Sequence, residues 1–219
     1  MNIYVLVEGE ICEKQIYKCW IPFVNPELIH VPHISDIVSN NFAIVSGGGY
    51  PNYFKVIESA FEDVFNYEAV DRLVIAIDSE ELTYTEKRCE IEDYISRFEF
   101  KVDVRIIIQH FCLETWALGN RVIIRDNHQC SILAKYKRFY NVKQFDPEYL
   151  PPYHEEELNR AQFALLYLRR ALNDKYRNLT YNKSNPGALL HPKYYEKVKD
   201  RYEQIGHICS FNDFLSAFQ

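Results

Sequence analysis

Apolar residues in the first half of the chain come in short unbroken runs, each closed by a polar or glycine-rich break and followed by a helical pattern. The run Ile3-Tyr4-Val5-Leu6-Val7 ends in Glu8-Gly9, the texture of a strand buried on both faces. A helix is predicted from Ile11 to Trp20. The pattern repeats from Phe42 to Val45, closed by Ser46-Gly47-Gly48-Gly49, with a helix from Asn52 to about Phe65 behind Pro51, a residue suited to a first helical turn. It repeats again from Leu73 to Ile77, ending at Asp78, with a helix from Tyr84 to Phe98. A fourth run, Val104 to Ile108, leads to a short helix from Leu113 to Leu118. Four alternations of strand and helix predict an α/β fold, a mostly parallel sheet with right-handed crossovers and helices on both faces.

Beyond Asn120 the texture changes. Pro147, Pro151 and Pro152 mark a loop, and a helix is predicted from Glu155 to Tyr176 with Leu158, Ala161, Leu165, Leu168 and Leu172 on one face. One or two further helices follow Pro192, with an aromatic cluster at Phe211, Phe214 and Phe218. The expected organisation is an α/β domain over residues 1–120 and a helical extension over 121–219. With 219 residues, 47% of them hydrophobic, the chain can bury one full core and a small lobe.

Charge sharpens that division. The net charge is −6, but residues 1–119 carry 20 acids and 9 bases while 120–219 carry 11 acids and 16 bases. An acidic half suits a cation and a basic half suits phosphate, although both can equally be solvated faces. No apolar run approaches the roughly 20 residues of a spanning helix, and the start MNIYVLVEGE lacks the features of a signal peptide. Cys12, Cys19, Cys89, Cys112, Cys130 and Cys209 form no CxxC pair. These features predict a reducing, cytoplasmic setting without a membrane, in which the sequon Asn178-Leu179-Thr180 is idle.

The candidate chemistry lies where the strands end. Ligands of open parallel sheets bind outside the carboxyl ends of the strands, and here those ends carry Glu8, the glycine triplet and Asp78. Glu80 follows one residue after Asp78 and a serine, a spacing that lets two carboxylates address one ion, with Glu81 as a substitute ligand. Such oxygen donors suit Mg²⁺ or Mn²⁺. A carboxylate beside a bound cation can move a proton while the cation polarises a phosphoryl oxygen, which suffices for phosphodiester hydrolysis. Taken singly, each acid can instead be a helix cap or a first-turn charge. Gly47, Gly48 and Gly49 would let the backbone approach a phosphate, with the N–H groups of the following helix as anion donors, or form a plain loop.

The run Val7-Glu8-Gly9-Glu10-Ile11-Cys12-Glu13, the pair in Asp78-Ser79-Glu80, and Cys112-Leu113-Glu114-Thr115-Trp116-Ala117-Leu118 together resemble a Toprim domain, and more narrowly the Toprim nucleases of the OLD and RloB-like type. The resemblance covers about residues 3–120. It implies that Glu8 acts as general acid/base or metal ligand, that Asp78 and Glu80 hold one ion, and that Glu13 and Glu114 serve a second. The chain departs from the pattern at Glu80, where a second aspartate is usual, and at Cys12, where threonine is frequent. The implied activity is metal-dependent cleavage of DNA or RNA in defence against phage or mobile elements, beside an ATPase supplied by another polypeptide, since no Walker motif is present. Non-catalytic binding of nucleic acid or a partner protein is the alternative, primase- or topoisomerase-like chemistry is a third, and self-assembly stays open.

Basic candidates come from the second half. Lys135, Lys137 and Arg138 interleave with Tyr136, Phe139 and Tyr140, as where phosphates and bases are both touched, or as on a solvated helix face. Lys183, His191 and Lys193 are further candidates, and the resemblance implies a lysine from this half at the scissile phosphate. The pairs His110/Cys112, His128/Cys130 and His207/Cys209 allow zinc ligation or buried, satisfied residues, and residues 30–33 read as a loop.

Overall fold

A computed structural model describes residues 1–49, 52–176, 179 and 181–219. Two compact units emerge. The first comprises residues 1–77, 84–108 and 213–219, and the second comprises 78–83 and 109–212. The division therefore does not fall at residue 120: the chain leaves the first unit after β4, again after β5, and returns to it for its last seven residues.

The first unit is built on a five-stranded parallel sheet flanked by helices, in the order β2-β3-β1-β4-β5. The strands are β1 (Ile3–Val7), β2 (Ile29–His30), β3 (Asn41–Ser46), β4 (Arg72–Asp78) and β5 (Asp103–Gln109). All five residues of β1 are buried, as an unbroken apolar run in a doubly covered sheet requires. β1 lies between β3 and β4, with Val7 level with Ser46 and Ala76. The edge strand β2, where the sequence reads as loop from His30, is two residues long and pairs with the start of β3. So short a strand gives no periodicity to read.

Helices α1 (Cys12–Val24), α2 (Asn52–Asn66) and α3 (Tyr84–Ile95) fill the crossovers. Tyr53 and Ile57 of α2 and Ile91 and Ile95 of α3 pack with Leu6, Leu73, Ile75 and Ile108 in one apolar core. Tyr17 and Trp20 of α1 pack edge-on against Phe214. Phe214 and Phe218 belong to the segment that begins in α8 (Phe211–Ala217), so two thirds of the expected aromatic cluster closes this unit.

In the second unit, α4 (Leu113–Ala117), α5 (Ser131–Phe139), α6 (Arg160–Lys175) and α7 (Pro192–Ile205) are joined through short 3₁₀ turns, two of them between α5 and α6. α6 starts later than expected. Residues 154–156 form a 3₁₀ turn, Glu157 adopts a left-handed φ of 55°, and Asn159 then caps α6 in a reciprocal capping box with Gln162. Its buried face is Phe163, Ala164, Tyr167, Leu168, Ala171 and Leu172, whereas Leu158, Ala161 and Leu165 of the expected stripe are half-buried. The aromatic rings decide this, because Phe163 stacks on Tyr153 and meets Tyr136 edge-on. Among the described residues no helix is long and apolar enough to cross a membrane. Pro51 and the sequon residues Asn178 and Thr180 lie outside the described residues.

Candidate functional site

In the first unit the turn after β1 is clamped from α1. The buried Glu13 carboxylate accepts the Glu8 N–H through Oε2 at 3.1 Å. Its Oε1 lies 3.0 Å from where a Cβ on Gly9 would stand, so glycine at 9 gives that carboxylate its room. Glu13 thereby positions the Glu8–Gly9 turn, and the Glu8 side chain is left half-buried.

The glycine triplet knits β3 to that same turn. The Gly47 N–H donates to Val7 O at 2.7 Å, the Gly48 N–H to Ser46 Oγ at 3.3 Å and the Gly49 N–H to Glu8 O at 3.3 Å. The amides of the triplet are therefore engaged within the unit, where the expectation was a backbone open to close approach by a phosphate. Gly47 is required by packing, since a Cβ there would come within 2.3 Å of the Tyr53 ring. Gly48 and Gly49 take positive φ values of 66° and 77°, which glycine adopts without steric cost.

In the second unit Asp78-Ser79-Glu80 is pinned to the segment after β5. The Ser79 N–H donates to Gln109 O at 3.0 Å and the Glu80 N–H to Phe111 O at 2.8 Å. Glu80 is exposed and left-handed at φ 51°, a conformation that costs a non-glycine residue on the order of 1 kcal/mol. Glu81 accepts the Arg160 N–H at 3.0 Å, and the Arg160 guanidinium sits 4.5 Å from the Phe111 ring centroid. The expected substitute ligand is thus tied to the start of α6.

Glu114 is 3% exposed and accepts the Tyr181 hydroxyl at 2.8 Å. Asp78 and Glu114 share a neighbour: burial first, then these two carboxylates, push the Cys112 thiol well above its ordinary range. Ser79 Oγ and His110 Nδ1 are 3.0 Å apart, and burial together with the Arg160 charge pushes the imidazole down to about 4, so it is neutral at pH 7.

A buried polar relay that periodicity does not reveal stands beside α4. Trp116 Nε1 donates to Ser210 Oγ at 2.7 Å, and Ser210 donates to Glu148. Burial pushes the Glu148 carboxyl up to about 7. Among known site patterns a Pro-Glu-Tyr stretch carries no signal, and its partner Ser210 is 62 residues away.

The basic candidates divide. Lys135, Arg138, Lys183 and Lys193 are exposed. Lys137 instead ties a loop, donating to Arg125 O at 2.9 Å and lying 3.8 Å from Asp126. The aromatic interleaving does not form a base platform, since Tyr136 is buried among Tyr153, Phe163 and Tyr167, with its hydroxyl on Glu156. Alternate burial of an amphipathic helix, α5, produces the same sequence pattern.

Among the described residues no group of three or more His, Cys, Asp or Glu side chains is arranged to hold a metal ion. Two of the three expected zinc pairs are engaged otherwise: His110 with Ser79, Cys112 with Thr115 at 3.7 Å, His207 with Arg201 at 3.0 Å, and Cys209 with Gly206 O at 3.2 Å. For a hard cation the chemistry of Asp78 and Glu114 fits, because Mg²⁺ usually takes one or two carboxylates and completes its shell with water and substrate phosphate. No protein-family model matches the chain, and no curated protein or solved structure matches it.

Proposed function

We propose that this chain is a nuclease that cuts phosphodiester bonds of DNA or RNA with the help of Mg²⁺ or Mn²⁺. The order of the sheet carries this reading. The chain leaves β1 toward the β3 side and leaves β4 toward the β5 side, so the crossovers diverge where β1 and β4 adjoin. Open parallel sheets take their ligands outside the carboxyl ends of the strands at such a switch point. Glu8 follows one of these strands and Asp78 closes the other. The strained backbone of Glu80 adds support, since residues held in sparsely populated conformations cluster at functional sites.

In this reading Asp78, Glu80 and Glu114 of the second unit are the residues that would hold the cation, and Glu8, which follows β1 in the first unit, is the candidate general acid/base. Bound there, it would stabilise charge on a phosphoryl oxygen and make a water more acidic. Tyr181 fixes one oxygen of Glu114, and Glu13 holds the backbone that displays Glu8. Glu13 is then a positioning residue rather than a ligand of a second ion.

The test is incubation of supercoiled plasmid, single-stranded DNA and total tRNA with the chain in Mg²⁺, Mn²⁺ or EDTA. Cutting of one substrate class in metal, abolished by EDTA, is the expected result. A defence role would appear as reduced phage plating on cells that express the chain, restored by Asp78→Ala.

The second reading is a non-catalytic module that binds nucleic acid. It is favoured by the absence of a three-carboxylate group among the described residues. Tight binding with substrate intact in both metals would establish it.

A further inference from the structure

The second unit contains a cavity of about 630 Å³ at the junction of α7, the last turn of α6 and the 3₁₀ turn at Arg121–Ile123. Six cations line it: Arg121, Arg125, Lys143, Lys175, Lys197 and Arg201. The two acids in the lining are already committed, Asp126 to Lys143 at 2.7 Å and Asp200 to Lys197 at 2.6 Å. Arg121, Arg125, Lys175 and Arg201 form no ion pair with any described residue; the hydrogen bonds of the three arginines go mainly to main-chain carbonyls, such as Lys143 O for Arg121 and Asp174 O for Arg125. Carbonyl acceptors fix a guanidinium in place without forming an ion pair, although at Arg201 the nearby Asp146 offsets part of the charge.

Arg201 shows how firmly this charge is built in. It is 2% exposed and donates to Val142 O, Lys143 O and Phe145 O and to His207 Nδ1. Burial and the neighbouring Arg121 charge depress it to about 10, still protonated at pH 7. A buried cation without a paired anion is costly, and an anionic ligand relieves that cost. A second cavity of about 430 Å³ shares Arg125 and Lys175 with the first. The second lining adds Arg170 and one acid, Asp174, which accepts the Gln129 and Cys130 N–H groups, so cations outnumber acids past the dimensions of one small anion.

We propose that these adjacent cavities bind the phosphates of a nucleic-acid strand. The site is new relative to the expected lysines, none of which lines either cavity. Arginine donors and unpaired charge suit successive phosphodiesters, and the exposed Val122 and Ile205 at the lining offer apolar surface to a sugar or base. The inference rests on the nucleic-acid reading above and names where the second unit would grip the strand.

The experiment measures anisotropy of a labelled single-stranded oligonucleotide in EDTA with the full-length chain, comparing wild type, the double variant Lys175→Glu/Lys197→Glu, Arg125→Gln and the control Lys55→Glu on α2. Arg201 is left intact because it holds the fold. The double variant should bind about tenfold or more weakly, and its plot of log affinity against log salt should flatten by about two contacts. Arg125→Gln should weaken binding in the same direction, and Lys55→Glu should bind like wild type. Unchanged binding by the double variant, or an equal loss in Lys55→Glu, overturns the proposal. Displacement of the strand by inorganic phosphate or a mononucleotide at strand-like concentrations overturns it in favour of a small-anion site. Cleavage assays on the same variants separate the two readings. A chain that binds the strand through this cavity yet never cuts leaves this inference standing and overturns the nuclease; a double variant that binds and cuts like wild type does the reverse.

Discussion

The first unit buries unbroken strands that are almost wholly apolar, Ile3 to Val7 and Leu73 to Ile77, between helices, whereas the second closes around buried polar groups that meet across long stretches of sequence. In the second unit Arg201 gathers three main-chain carbonyls, Asp146 accepts the N–H groups of Glu148 and Ile208, and Glu148 accepts from Ser210. Apolar packing is non-directional and tolerates small changes of shape, but a buried hydrogen-bonded charge fails when one partner is removed. The two units should therefore respond differently to single substitutions.

The largest effect is expected from Arg201→Met. It keeps bulk but strands the carbonyls of Val142, Lys143 and Phe145, and should cost about 3–5 kcal/mol in urea unfolding. A loss under about 1 kcal/mol would mean that the network contributes little. In the first unit Gly47→Ala forces a methyl group against the buried Tyr53 ring, and overpacking of that kind costs about 1–3 kcal/mol. The comparison sharpens if Arg201→Met exceeds Gly47→Ala and breaks if the order reverses.

The next effect depends on pH. The folded-state pKa of Glu148, about 7, lies above its ordinary 4.5, so the protonated form is favoured in the fold. The stability it contributes is complete below the unfolded value and is lost as pH rises through 7. Wild type should thus lose on the order of 2 kcal/mol between pH 5 and pH 8, and Glu148→Gln should be nearly flat in that window. Equal pH slopes for the two proteins would remove Glu148 as the titrating group. The smallest effect belongs to the exposed pair Lys197–Asp200, where Lys197→Gln should leave the urea midpoint where wild type has it.

The same contrast explains what could be read from sequence. The strands of the first unit were legible because a doubly covered parallel sheet imposes continuous apolar runs, and β2 was not because two residues carry no period. The start of α6 lies later than composition predicts because the left-handed Glu157 and the Asn159 cap interrupt a stretch that favours helix. Strand-end carboxylates at 8, 78 and 80 could be found by position. The engaged amides of the glycine triplet and the Glu13 clamp could not, since they depend on which atoms hydrogen bonding brings together. The cavity cations carry no sequence signal because Arg121, Arg125, Lys143, Lys175, Lys197 and Arg201 are scattered over 81 positions and are assembled by the fold. A local cluster such as 135–138 stands out in a sequence, and a dispersed one does not.

The central claim is tested most directly by comparing wild type, Glu8→Ala and Asp78→Ala for cleavage of plasmid, single-stranded DNA and tRNA in Mg²⁺ and Mn²⁺, with circular dichroism to verify folding. The nuclease reading requires cutting by wild type and its loss, by about 100-fold or more, in both folded variants. Wild type that leaves every substrate intact in either metal, or variants that cut as fast as wild type, would contradict it.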